Sequence, residues 1–234
     1  MLKSKSFMYV FFHYAIILSF VLFLPPISIE DQKSIIAIAN ATIDEYNPDS
    51  NDGGDSVLEI GYRILEKYGG SQRPEESYWI SYIKFDLSDA PNSYDRVELK
   101  LEFIFIEATD FLEIYATSSL WSEYLITWNN APSNGDLIAE NYVSEEIVYS
   151  FNVADLIEEK SGFWSICLIL NDSNWMLLAS RQCYNEFNPP QIIYYYMTTV
   201  FPSIRDLGLT IILIITILGF VILYSYWKRK RELT

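Results

Sequence analysis

The chain has 234 residues, of which 50% are hydrophobic, with two cysteines, one histidine and a formal net charge of −15. Of its 16 Lys and Arg, two precede and four follow two long apolar runs, whereas all but one of the 31 acidic residues lie between them, so the middle segment carries 10 − 30 = −20. That field disfavours nucleic acid as a partner and repels polyanionic glycans unless cations bridge them, while a lone His13 leaves no histidine-assisted nucleophile and no ordinary zinc site.

The first apolar run, Phe7 to Leu24, follows Lys3 and Lys5, which is the layout of a secretory signal or an uncleaved signal anchor over residues 1–28. An exported domain over 29–199 and a linker over 200–206 come next. The second run, 207–227, has 21 residues without charge and a helical length of about 31 Å. It predicts a transmembrane helix. The basic block Lys228 to Arg231 opens a tail over 228–234 that belongs in the cytoplasm. Gly208 and Gly219 lack the spacing of a helix-dimerising pair. The expectation is a cell-membrane protein with its domain outside and its partner bilayer at 207–227.

Between the runs the dominant period is two. Val57 to Tyr62 reads as a strand after the turn Asn47-Pro48 and the polar stretch Asp49 to Asp55, and Arg63 to Glu76 reads as an inserted loop. Ile83, Phe85 and Leu87 alternate with Lys84, Asp86 and Ser88; Val97, Leu99, Leu101, Phe103 and Phe105 alternate with Glu98, Lys100 and Glu102; Leu112, Ile114 and Ala116 repeat the pattern. Each strand sends one face to a common core. Trp121 to Pro132, WSEYLITWNNAP, reads as a short buried strand ending in a fixed turn. As an internal wedge it requires a buried Trp128, an at least half-buried Trp121, and an Asn129-Asn130 turn held by side-chain hydrogen bonds to backbone. Only Val153 to Lys160 reads as helical. Roughly eight to ten short strands imply an all-β, antiparallel two-sheet sandwich of jelly-roll type.

Several residues are candidates for chemistry. Asp49, Asn51, Asp52 and Asp55 place hard oxygen ligands within seven residues, as calcium requires, though without EF-hand spacing; the alternative is a turn with Asx hydrogen bonds. Trp79, Trp121, Trp128, Trp164 and Trp175 supply aromatic faces for sugar rings, and Arg181, Gln182, Lys84 and Arg96 supply polar groups that read hydroxyls or carboxylates. Arg181 either pairs a carboxylate at the core edge or clamps one on a ligand, and the structural pairing is the preferred reading. Cys167 and Cys183 are candidates for a disulfide in an exported chain. Asn40 and Asn171 head glycosylation sequons, which places those strand ends in solvent. No pair of carboxylates is singled out for glycoside hydrolysis.

The phrases ATIDEYNPDSNDGGDSVLEIG at 41–61, YIKFDLSDAP at 82–91, WSEYLITWNNAP at 121–132, FNVADLIEEKSG at 151–162, LASRQ at 178–182 and NPPQIIYYY at 188–196 together resemble the DNRLRE-domain, disaggregatase-related family, classed as carbohydrate-binding module family 96. The resemblance implies a β-jelly-roll module of secreted and surface proteins, often joined to polysaccharide-degrading enzymes, with uronic acid polymers among its ligands. Gln182 where the family commonly has Glu, Cys183 after it, and the longer 63–76 segment depart from the pattern and leave the ligand open. The expected role is to bind polysaccharide or a cell-envelope glycan without catalysis. A structural or adhesive envelope protein is the second reading, and a polysaccharide-degrading enzyme the third.

Overall fold

The computed structural model describes residues 27–65, 75–157, 162–171, 174–183, 187–200 and 204–231. The 1–26 part of the signal segment, residues 66–74 of the expected loop, the linker residues 201–203 and the tail residues 232–234 lie outside it. The chain divides into two compact units, one of residues 31–196 and one of residues 1–30 with 197–234.

Unit 31–196 is built on β1 (Ile27–Ile36), β2 (Ala39–Asp44), β3 (Val57–Leu65), β4 (Glu75–Asp86), β5 (Arg96–Ile106), β6 (Asp110–Thr117), β7 (Asn134–Val143), β8 (Val148–Asn152), β9 (Phe163–Leu170), β10 (Trp175–Ala179) and β11 (Gln191–Val200), with one short helix, α1 (Ala154–Ile157). They form a curled antiparallel sheet in the order β1-β11-β5-β10-β3-β4-β9-β6-β7, with β2 added to β4 and β8 to β5. The period-two signal is thus realised as strands, in keeping with a β-sandwich.

β5 makes the curl. Its first half pairs β11 on one edge, from Arg96 to Lys100, and β8 on the other, from Glu98 to Glu102; its second half pairs β10 through Phe103, Phe105 and Ile106. One strand therefore belongs to both halves of the sheet. Val97, Leu99, Leu101, Phe151, Ile192 and Tyr194 on one side meet Leu58, Ile60, Ile83, Phe85, Ile114, Leu168, Met176 and Leu178 on the other in one core cluster.

A second bend lies at Gly61. Residues 57–61 of β3 pair β10, whereas 61–65 pair β4, and Gly61 takes φ +102° where the strand changes partner. A Cβ there would stand 2.1 Å from the Asn174 carbonyl oxygen. Only glycine satisfies both demands.

Two sequence expectations are corrected at this level. Arg63, Ile64 and Leu65 pair Ser77, Glu76 and Glu75, so the ends of the 63–76 segment are strand and not loop. The core is also not single: the outer faces of β2, β4 and β9 carry a second cluster of Ala41, Ile43, Tyr82, Ile126 and Cys167. Alternation hid it, because β4 is buried on both faces, with Tyr82 and Lys84 on one and Ile83 and Phe85 on the other. Burying each large apolar side chain contributes about 1.5–3 kcal/mol, so the outer cluster is a substantial second source of stability.

The other unit contains α2 (Ile204–Arg231), a helix of 28 residues. Thr216 Oγ1 donates to the Ile212 carbonyl and Ser225 Oγ to the Val221 carbonyl, both at 2.8 Å, so these hydroxyls are satisfied within the helix. Among the residues whose side chains are described, no helix is long and apolar enough to cross a membrane.

Candidate functional site

The outer cluster needs a cover, and residues 118–133 between β6 and β7 supply it. The segment is a succession of turns with no strand, which corrects the buried-strand expectation for WSEYLITWNNAP. Leu125 N and Ile126 N both donate to the Ser122 carbonyl, and Asn130 N donates to that of Thr127. The backbone thus closes on itself and leaves no edge for a ladder. Asn130 Oδ1 accepts from Thr127 N at 2.7 Å and its Nδ2 donates to the Leu125 carbonyl at 2.9 Å, so side chain bonds to backbone as the asparagine pair implied.

The cover is pinned at several points. Ile126 is buried in the outer cluster, with Trp121, Trp128 and Ala131 packed around it. Trp128 remains partly exposed instead of buried, because it lies at the rim of the cluster and meets Tyr78 edge-on at 6.5 Å; Trp121, also partly buried, meets Tyr82 edge-on at 6.0 Å. Tyr82 donates its hydroxyl to the Pro132 carbonyl at 3.1 Å, and the Lys84 ammonium donates to the Trp121 carbonyl while lying 4.4 Å from the centre of that indole. Burial pulls the Lys84 ammonium below the usual lysine value, with Glu123 opposing.

Glu123 is the ionic centre of the cover. Buried to 6% exposure, it accepts from Arg181 Nε at 2.6 Å and from Arg181 Nη2 in a two-pronged pair, from Gln182 Nε2 at 2.9 Å and from Asn40 N at 3.0 Å. Burial pushes its carboxyl up, yet the hydrogen bonds from Arg181, Asn40 and Gln182 outweigh that and hold it below the ordinary glutamate value. Its bond to Glu123 raises the Arg181 guanidinium in turn. Asn40 completes the network by accepting from Arg181 N at 2.7 Å and donating to Gln182 Oε1 at 3.0 Å.

These contacts decide the fate of the residues singled out in the sequence. Arg181, Gln182 and Lys84 come together under the cover, with their polar groups turned to protein partners; Arg96 does not join them, and instead pairs Glu98 at 3.4 Å and lies over Tyr195 at 3.9 Å. Asn40 is fully buried and both ends of its amide are bonded, so its strand end does not face solvent and the folded domain has no room for a glycan there. Asn171 is exposed and donates to Glu113 Oε1 at 2.8 Å. The two cysteines are not joined to each other: Cys167 is buried mid-strand in the outer cluster beside Asn134, while Cys183 follows β10 and donates to the Phe187 carbonyl.

The loop singled out as a candidate for calcium bonds to the cover. Asn51 Nδ2 donates to the Ile126 carbonyl, Asn129 N to the Pro48 carbonyl, and Asn129 Nδ2 to Asp49 Oδ1. Asn51 Oδ1 accepts from Gly53 N at 2.8 Å, the Asx turn that was the alternative reading. Among the described residues no three His, Cys, Asp or Glu side chains are grouped to hold a metal. Asp52 is raised by burial and by Asp55 and Asp44. The loop 47–55 is a dock for the cover, and Gly53 is where they touch: a Cβ would lie 1.8 Å from the Glu123 carbonyl oxygen.

On its solvent side the cover forms an open groove of about 520 Å³, lined by Ser119, Leu120, Trp121, Ser122, Leu125, Ile126 and Asn130. Glu123 and the groove had no sequence signal beyond the paired indoles, and Asn40 was marked only as a sequon, since neither local period nor spacing joins residues so far apart. Of the other indoles, Trp79 and Trp164 are buried, and Trp175 donates to Glu59 at 3.1 Å with the Arg63 guanidinium 4.4 Å above its ring.

A curled antiparallel sheet that carries a rigidly braced loop and groove on its outer face defines a β-sandwich type of binding module. The chain belongs to carbohydrate-binding module family 96, whose profile matches residues 31–193. No curated protein matches it.

Proposed function

We propose that this protein is a non-catalytic glycan-binding module displayed at a cell surface, and the observation that carries the reading is its membership of a carbohydrate-binding family across residues 31–193. The two groups of paired strands, β1-β11-β5-β8 and β4-β9-β6-β7, with the chain crossing between them at β4–β5, β5–β6, β7–β8 and β8–β9, support a jelly-roll assignment. The partner class is polysaccharide or cell-envelope glycan. Calcium is proposed at the loop of Asp49, Asn51, Asp52 and Asp55, or as a bridge between an anionic polymer and the acidic domain.

Membrane anchoring rests on α2 and on the sequence. Ile212, Ile215, Phe220, Ile222, Leu223 and Tyr224 are apolar side chains left exposed on one helix, 207–227 carries no charge, and Lys228 to Arg231 follow. Apolar side chains bare on this scale favour lipid over water, which supports an anchor although the described part of α2 is not by itself long and apolar enough for a span. Full-length protein in detergent is tested against neutral and acidic polysaccharides, with and without calcium, and retention of at least one is expected. Silence across the panel defeats the glycan reading. Release of the protein from membranes by alkaline carbonate defeats the anchor.

A further inference from the structure

The groove on the cover differs in kind from the polar network beneath it. None of its seven lining residues is charged, although the domain around it is strongly acidic. Leu120 is 96% exposed and Leu125 70% exposed, so two large aliphatic side chains stand in water within six residues of one another, with Tyr124 also exposed between them. Single exposed apolar residues are ordinary, but a cluster at a concave site on a loop pinned by hydrogen bonds along its length marks a contact surface.

The polar complement is specific as well. Trp121 Nε1 is buried and has no acceptor among the described residues, so the part of the indole that reaches the groove is hydrocarbon. Ser122 makes no side-chain hydrogen bond among the described residues, and Asn130, although it holds the turn, has one amide hydrogen beyond its bond to Leu125. A lining that mixes apolar side chains with hydroxyl and amide groups matches a sugar ring, which has a C–H face and an equatorial fringe of hydroxyls. Its volume is that of a small-ligand site.

We infer that this groove, centred on Leu120, Trp121 and Ser122, seats a short segment of an uncharged glycan, an inference that rests on the carbohydrate-binding reading above. A carboxylated or sulfated polymer finds no cation in it: Lys84 and Arg181 are turned beneath the cover to the Trp121 carbonyl and to Glu123. The surrounding charge opposes the polymer's approach.

Full-length protein in detergent, wild type and the variants Leu120→Asp and Ser122→Asp, is titrated with a neutral β-glucan, a mannan and a polyuronate. Both side chains project from the fold, so the melting temperature stays at the wild-type value. Affinity for the neutral polymer is expected to fall about tenfold or more, the scale of one lost stacking or hydrogen-bonded contact. Tyr142→Ser, on β7 away from the groove, leaves it unchanged. Wild-type binding to a neutral polymer with no effect of either groove variant overturns the seat while leaving the glycan reading standing. Binding to polyuronate alone overturns the uncharged ligand. Binding to none, with a fixed protein neighbour captured by cross-linking at residue 120, overturns both.

Discussion

Glu123 and Arg181 form the ion pair that the sequence foreshadowed from one side only. An arginine after an apolar strand announced that it would need a carboxylate, but Glu123 lies 58 residues away, on a segment without periodicity, and nothing local selects it from thirty other acids. Removing it by Glu123→Ala leaves Arg181, Gln182 and the Asn40 amide without their acceptor. A loss of about 2 kcal/mol in urea unfolding is expected, discounted because Arg181 retains 30% side-chain exposure. The Glu123→Ala/Arg181→Ala double variant loses less than the sum of the single ones. Because the folded carboxyl lies below its ordinary value of 4.5, the stabilisation is present above pH 4.5 and is lost as pH falls through the folded value, so wild type and Glu123→Ala converge in acid. Asp52 works in the opposite sense: burial and Asp55 raise it, so Asp52→Asn stabilises at neutral pH and the gain vanishes below the carboxylate range. For the thiols, burial pushes Cys167 up to about 12, so a thiol reagent labels Cys183 in the native protein and Cys167 only after unfolding. A melting temperature that drops on adding reductant contradicts the absence of a Cys167–Cys183 bridge.

Strands were legible where one face is polar and one apolar, as in β5, whose Val97, Leu99, Leu101 and Phe103 are all buried. The pattern misled in two places for different reasons. In β4 both faces are covered, so alternation reports only the stronger core; in 118–133 the backbone is satisfied by turns, and its apolar residues follow the shape of another surface instead of any period of their own. The glycines separate these effects. Gly53→Ala puts a methyl into the Glu123 backbone without any φ demand, Gly61→Ala adds a clash to φ +102°, and Gly162 has φ +82° with open space around it. Thermal melts are expected to show losses of about 3 kcal/mol for Gly53→Ala and at least as much for Gly61→Ala, against about 1 kcal/mol for Gly162→Ala. In Gly53→Ala the loss appears as undocking of the cover, seen as a change in Trp121 and Trp128 fluorescence before the global transition. Equal losses at all three positions contradict a dock at Gly53.

At the scale of the whole molecule, the segment between the apolar runs carries a charge of −20 with ten cations among thirty acids, and repulsion opposes compaction. Raising ionic strength from low salt to about 0.15 M, where the screening length is about 8 Å, is expected to raise the melting temperature. A flat or falling dependence contradicts self-repulsion as a net cost. The network around Asn40 adds a constraint of time. Asn40, wholly interior, finds its partners in Glu123, 83 residues later, and in Gln182, 142 residues later. A chain emerging from its amino end therefore keeps this amide open until nearly the whole domain has been made. During that interval the sequon is accessible although the finished fold conceals it. A sugar attached then would displace Gln182 from its bond to Asn40, so under the proposed surface display the same asparagine would be a point at which synthesis either closes the domain or leaves it open.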